Sequence, residues 1–141
     1  MSFLISSFLD IGNLLLKVCN SYASAPEQFR TFSQEISSLN VVYQGVADQL
    51  QNQGGENNTL TLGEKNMADL KILHDGLQAF IKELEALLKR YQSLKEAKTF
   101  SFDRLQWGLE DLEGFRKRIP MHVCLLTAFN TSLMWYVHLP L

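Results

Sequence analysis

The sequence predicts an all-α protein, an antiparallel four-helix bundle, from three observations. Apolar residues recur at alternating spacings of three and four along three long stretches, which places one apolar face along a helix. No stretch shows the sustained alternation of a strand. The chain has 141 residues, of which 46% are hydrophobic and 20% are charged, so it matches one folded domain. We place the bundle at residues 1–134 and expect 135–141 to be an atypical, disordered tail.

The first predicted helix, residues 3–21, is apolar around most of its circumference. On a helical wheel its polar residues form one narrow stripe. The stripe residues are Ser6, Asp10, Asn13 and Lys17. Two interpretations are open. The helix is either central and surrounded by the other three, or it packs in the bundle at rest and later enters a membrane or an oligomer.

In the second interpretation, the residues expected to insert into the membrane are Phe3, Leu4, Ile5, Phe8, Leu9, Ile11 and Leu15. Residues 3–19 would span about 25 Å, at the lower limit for the ~30 Å hydrocarbon core of a bilayer. A carboxylate that faces lipid costs several kcal/mol. The stripe that contains Asp10 would therefore have to face a water-filled lumen.

The second and third helices, near 26–51 and 62–96, carry the most regular apolar spacing. In the second helix the positions are Phe29, Phe32, Ile36, Leu39, Tyr43, Val46 and Leu50. In the third they are Leu70, Leu73, Leu77, Phe80, Leu84, Leu87, Tyr91 and Leu94. Residues 24–27 and 61–64 both have the capping-box pattern, and a polar loop at 52–59 separates the two helices.

The fourth predicted helix, near 101–118, begins after Ser101, which can cap it. Pro120 should break or bend this helix, so a short fifth helix over about 120–134 would begin there. Three basic residues, Arg116, Lys117 and Arg118, directly precede this uncharged segment. They either contact anionic lipid headgroups or form a solvated helix end whose charge suits the helix dipole.

Charge and motif content exclude several function classes. With a net charge of −2, the chain does not have the broad positive field of a general nucleic-acid binder. We therefore expect no nucleic-acid partner. Cys19 and Cys124 form no disulfide framework and are expected to be reduced thiols of a cytoplasmic protein. Phosphate-binding loops, nucleophile motifs and metal-ligand spacings are not visible in the sequence. We therefore predict no enzyme activity, no cofactor and no metal site.

Two stretches carry a family resemblance. Residues 11–17, Ile-Gly-Asn-Leu-Leu-Leu-Lys, and residues 104–119, with His122 just after them, resemble the fungal N-terminal domains of STAND-type, NOD-like receptors. Trp107, Glu113, Arg116 and His122 fall on marked positions of that pattern. These domains are grouped with the HeLo-like cell-death effectors, which are helical bundles.

The resemblance implies a function in programmed cell death. Receptor oligomerisation would cluster the bundles, and their N-terminal helices would then permeabilise the plasma membrane, to which the cytoplasmic protein is recruited. The partners implied are other copies of the chain, an anionic membrane, and a NOD-like receptor or another bundle domain. The alternative is an adaptor or regulatory module that binds a protein partner and has no membrane activity.

Overall fold

The structure, a computed structural model, describes residues 3–25, 29–53, 63–96 and 102–138. It contains four helices: α1 (Phe3–Ala23), α2 (Arg30–Gln53), α3 (Glu64–Glu96) and α4 (Phe102–His138). Within the described ranges there is no strand, and the predicted all-α four-helix bundle is confirmed. Several predicted features lie outside the described residues. They are Pro26 and Glu27 of the first capping-box segment, Thr61 of the second, the proposed cap Ser101, and the last three residues of the predicted tail, 139–141.

Consecutive helices run in opposite directions. Tyr43 in the middle of α2 contacts Phe8 near the start of α1. Ile36, earlier in α2, contacts Cys19 near the end of α1, so α1 and α2 are antiparallel. Tyr22 at the end of α1 contacts Leu84 of α3, and Ser7 at its start contacts His74. These two contacts make α1 and α3 parallel.

The four helices form a square in which α1 packs against α2 and α3, while α4 packs against the same two helices. Helices α1 and α4 lie at diagonally opposite corners of the square, and so do α2 and α3, although these two are consecutive in the sequence. Two of the four neighbouring pairs are therefore parallel.

The core contains the apolar stripes that the sequence shows. All seven stripe positions of α2 are buried, and so are the α3 positions from Leu70 to Leu87. Aromatic rings meet near the end of α1, where Tyr22 lies edge-on to Phe29 and Phe32 at 5.8 and 5.2 Å between ring centroids. This density of apolar contact is the main source of the stability of the bundle.

The prediction of a short separate helix after Pro120 is wrong, because α4 continues through Pro120 to His138. The apolar stripe continues as well: Ile119, His122, Leu126, Phe129 and Leu133 are all buried at spacings of three and four. Pro120 itself is exposed on the opposite side. Proline removes one helical hydrogen bond, and the burial of this stripe offsets that cost. Residue 134, the predicted domain boundary, lies inside the helix.

The connection from α1 to α2 differs from its prediction in one detail. The hydroxyl of Ser24, which was expected to cap the start of the second helix, donates to the carbonyl of Asn20 in α1. The backbone N–H groups of Ser24 and Ala25 bond back to Asn20 and Tyr22. Ser24 therefore closes the end of α1, and α2 begins later than predicted, at Arg30.

Candidate functional site

Helix α1 is the candidate functional element, and it occupies a corner of the bundle. The interpretation of α1 as a central helix is wrong, because α1 packs mainly against α2 and α3, while α4 lies across the diagonal. One side of α1 is therefore open to solvent. A corner helix can leave a bundle without passing between its neighbours.

Of the seven residues predicted to insert into a membrane, four now belong to the core. Ile5, Phe8, Ile11 and Leu15 are at most 1% exposed. Leu4 and Leu9 are partly buried against the core. Phe3 is 90% exposed, at the beginning of the helix. The side chains proposed for insertion are thus mostly those that hold α1 in the folded bundle.

The predicted polar stripe lies on the side of α1 that faces away from the core. Ser6, Asp10, Asn13 and Lys17 are all exposed. The stripe has apolar residues on both sides: Leu16, 49% exposed, on one side and the partly buried Leu14 on the other. Helix α1 therefore has more apolar surface than its core contacts require.

Tyr43 holds the first half of α1 to α2. Its hydroxyl donates to the backbone carbonyl of Phe8 at 2.6 Å and lies 3.2 Å from that of Leu9. A Cβ on Gly12 would lie 3.0 Å from Cε1 and 3.2 Å from the hydroxyl oxygen of Tyr43. Glycine at position 12 therefore permits the close approach of the ring to the backbone of α1.

Two further hydrogen bonds hold α1 to α3. The hydroxyl of Tyr22 donates to the carbonyl of Leu84 at 2.7 Å, in a buried position. The Ser7 hydroxyl and Nε2 of His74 are 2.7 Å apart, and Nδ1 of His74 lies 3.0 Å from the carboxylate of Asp75. Together with the Tyr43 bond to Phe8, we call the Tyr22 and Ser7 bonds the α1 anchors.

The α1 anchors were not predicted from the sequence. The apolar stripe places Tyr43 in the core correctly, but periodicity does not show which carbonyl its hydroxyl meets. A signal was nevertheless present, since a tyrosine in a core stripe needs a hydrogen-bond partner for its hydroxyl. Ser7 and His74 carried no comparable signal, because each is an ordinary polar residue beside a helical stripe.

The three basic residues proposed to contact lipid headgroups face three different directions. Arg116 forms a bidentate ion pair with Glu35 of α2, at 2.8 Å for the shortest contact. Arg118 pairs with Glu83 of α3 at 2.6 Å and lies over the ring of Phe80. Lys117 is exposed between them. Two of the three charges are thus already paired with carboxylates of neighbouring helices at the surface, and the cluster does not form one cationic surface.

Helix α1 is also the helix, among the described residues, that is long and apolar enough to cross a membrane. One third of its most apolar 18-residue stretch is buried in the bundle. The core helix of a soluble protein can be equally long and apolar. In the described part of the chain no group of three or more His, Cys, Asp or Glu residues is placed to hold a metal. His122 is buried and Cys124 exposed, so these two point apart.

A comparison with models of known protein families finds no match, and comparisons with curated proteins and with solved structures find none either.

Proposed function

We propose that this protein is a HeLo-like cell-death effector domain of the STAND/NOD-like receptor type, which self-associates and permeabilises membranes with its N-terminal helix. The observation that carries the proposal is the apolar surface of α1 beyond the core, at Phe3 and Leu16, next to a polar stripe. A helix that only filled a corner of a bundle would need an apolar face on one side.

The length of α1 suits this function. Its 21 residues give about 31 Å at 1.5 Å per residue, which matches the ~30 Å hydrocarbon core of a bilayer. In an inserted oligomer the stripe of Ser6, Asp10, Asn13 and Lys17 would face water, and the face that is now buried would contact lipid or a neighbouring helix. Asp10 would then keep its hydration.

The energetics of release favour a clustered state. The apolar side chains of α1 would pass from one apolar environment to another, since lipid tails are as apolar as a protein core. The α1 anchors would be lost, at about 1 kcal/mol for each hydrogen bond. The buried faces of α2 and α3 would lose their cover, and contact between copies would restore it. Self-association and insertion are thus expected to occur together.

The experiment is dye release from liposomes, with variants chosen by exposure. Deletion of α1 is unsuitable, because Ile5, Phe8, Ile11 and Leu15 are core residues and their loss would unfold the bundle. Leu9→Glu has the same defect, since Leu9 packs against the core. Phe3→Glu and Leu16→Glu change exposed apolar positions of α1 and should leave the fold intact.

Val41→Glu is the matched control, because Val41 is a 70% exposed apolar residue on α2. When clustered, the wild type and Val41→Glu should release dye, while Phe3→Glu and Leu16→Glu should not. All four proteins should have equal helicity by circular dichroism, which shows that the variants are folded. Undiminished release by the two α1 variants would overturn insertion through α1. No release by the clustered wild type would overturn the membrane function itself.

The second candidate function is a protein-interaction module without membrane activity. The observation that favours it is a set of exposed apolar residues where α3 and α4 meet: Ile72, Met121 and Leu125 are 63%, 52% and 42% exposed. The α4 side of this patch lies in residues 119–141, which carry no charge, while Lys65 and Asp69 of α3 border it. Another bundle domain could therefore pack an apolar face there, with charged residues at the rim. Stable binding of such a partner, lost in Ile72→Glu, together with no dye release would support this function.

A further inference from the structure

His122 lies on α4 and is buried where α4 packs against α3, a contact region that we call the α3–α4 seam. Its side chain is 4% exposed, and its Nε2 has no hydrogen-bond partner among the described residues. Buried polar groups are nearly always paired. An unpaired imidazole nitrogen in a helix seam therefore calls for an explanation.

Two residues of α3, Phe80 and Gly76, lie beside this imidazole ring. The His122 and Phe80 ring centroids are 4.6 Å apart, with 37° between the planes. A Cβ on Gly76 would lie 3.8 Å from Cε1 of His122, an ordinary van der Waals distance, so the missing side chain of Gly76 leaves space on the α3 side of the ring. The neutral ring thus has an aromatic neighbour in Phe80 and no polar partner at Nε2 among the described residues.

The charged groups that act on His122, in the described part of the chain, come from both helices. Arg118 is one turn earlier on α4, and its guanidinium lies 4.9 Å from the centroid of the Phe80 ring. Glu83 of α3 pairs with Arg118 at 2.6 Å. Burial and the charge of Arg118 lower the pKa of His122, while Glu83 raises it by a smaller amount. The one carboxylate nearby is already matched by an arginine.

We propose that protonation of His122 opens the α3–α4 seam, so that the bundle responds to mild acid. A proton would place a second positive charge beside Arg118. Both ring nitrogens would then be N–H donors, and Nε2 has no acceptor among the described residues. Both changes disfavour the closed seam. In an open seam, water solvates the imidazolium. Water then accepts from the unpaired N–H group and screens the second positive charge.

The direction of the stability change and its pH range follow from the difference in the pKa of His122 between the folded and the unfolded chain. Well above the ordinary value of 6.5, His122 is neutral in the folded and the unfolded chain, so its titration does not change stability there. As the pH falls below 6.5, the unfolded chain binds the proton first, so the folded state loses stability. The loss is complete once the pH passes below the lowered pKa of the folded state.

His74, the other histidine whose side-chain contacts are described, is not expected to act in this way. His74 has the carboxylate of Asp75 at Nδ1 and the hydroxyl of Ser7 at Nε2, and a protonated ring can donate to both. The pKa of the Asp75 carboxyl is lowered by its hydrogen bonds to His74 and Lys71, so that group titrates in a more acidic range. His74→Gln is therefore the matched control for His122.

The test combines two measurements on the full chain. The Cε1–H signals of the histidines, followed by NMR from about pH 8 to 5, give the pKa of His122 directly. Thermal unfolding over the same range compares the wild type with His122→Phe, which keeps a ring against Phe80 but cannot titrate, and with His74→Gln. The wild type and His74→Gln should lose several degrees in Tm between about pH 7.5 and 5, and His122→Phe should lose much less.

Two results would overturn the proposal. One is a pKa of His122 at or above 6.5 in the folded wild type, a measurement that does not require any variant to fold. The other is an unchanged pH dependence in His122→Phe. Hydrogen exchange on the wild type, corrected for intrinsic rates, should rise first in the facing parts of α3 and α4 on acidification. Exchange that rises equally everywhere would argue against an opening of the seam.

The proposal does not depend on membrane permeabilisation. If mild acid opens the seam, it also loosens α3, the helix to which two of the α1 anchors attach. Dye release that increases on acidification in the wild type but not in His122→Phe would connect the two proposals. Absence of dye release at every pH, together with a titrating seam, would overturn the membrane function alone.

Discussion

The hydroxyl of Tyr43 donates a 2.6 Å hydrogen bond to the backbone carbonyl of Phe8, which joins the middle of α2 to the first half of α1. The two rings also pack, with centroids 5.2 Å apart. A polar and an apolar contact between the same residues thus fix where α1 lies on its neighbour. Any departure of α1 from the bundle must break both.

Tyr43→Phe removes the hydroxyl and keeps the ring. We expect a loss of about 1 kcal/mol in the free energy of unfolding, the usual value for one hydrogen bond, with the packing on Phe8 unchanged. Urea unfolding measures this difference. In the proposed effector, the variant should also release dye at a lower protein concentration than the wild type. A variant as stable as the wild type would show that this bond does not hold α1.

The burial of Tyr43 should also make the stability of the protein depend on pH under alkaline conditions. Burial raises its pKa from 10.0 to about 12, and burial raises the pKa of Tyr22 in the same direction. Between about pH 10 and 12 the unfolded tyrosines lose their protons before the folded ones, so stability falls with rising pH. Tyr43→Phe should show a smaller fall over this range. Thermal unfolding at several alkaline pH values checks it, and equal falls in both proteins would contradict it.

Gly12→Ala and Gly45→Ala form a matched pair. Both glycines lie inside helices, where alanine is favoured by roughly 0.5–1 kcal/mol. A Cβ at Gly45 has nothing within 4 Å, whereas a Cβ at Gly12 would lie 3.0 Å from the Tyr43 ring. We expect Gly45→Ala to stabilise the protein and Gly12→Ala to destabilise it, by about 1–3 kcal/mol for overpacking. Stabilisation by both would mean that the ring of Tyr43 moves freely.

Adjacent leucines in α1 should respond very differently to truncation. Leu15 is fully buried and Leu16 is 49% exposed. Leu15→Ala should cost about 2–5 kcal/mol through lost burial and the cavity left behind, while Leu16→Ala should change stability by less than about 1 kcal/mol. Chemical denaturation distinguishes the two. Similar losses at both positions would place α1 elsewhere than in a corner of the bundle.

Pro120→Ala should stabilise the protein. Alanine restores the N–H that can bond to the carbonyl of Arg116, and Pro120 is exposed, so no core contact is lost. We expect a gain of up to about 3 kcal/mol, visible as a higher Tm. A loss of stability would indicate that the bundle needs a bend at this position.

The sequence predicts the helices and most of the core well, because burial in a bundle follows periodicity. Every predicted stripe position of α2, from Phe29 to Leu50, is buried. The continuation of α4 was also encoded, since the spacing from Leu112 to Leu133 does not change at Pro120. The predicted break at Pro120 relied on the local preference of proline, and in α4 the tertiary contacts of the buried stripe override that preference.

The arrangement of the helices was less predictable. Amphipathicity tells which side of α1 is apolar, but it does not tell which helices lie beside it. The square order and the α1 anchors depend on contacts between residues more than 30 positions apart, such as Tyr43 with Phe8 and Tyr22 with Leu84. Nothing in a local pattern specifies such pairs.

The parallel pairing of α1 with α3 has a consequence for synthesis of the chain. The carbonyl that Tyr22 needs belongs to Leu84, so the ribosome must add about 60 residues after α1 before this contact can form. At 5–20 residues per second this takes roughly 3–12 s. Throughout that interval the most apolar helix of the nascent chain has at most one of its two neighbours. A chaperone or a membrane surface can compete for it before the bundle exists.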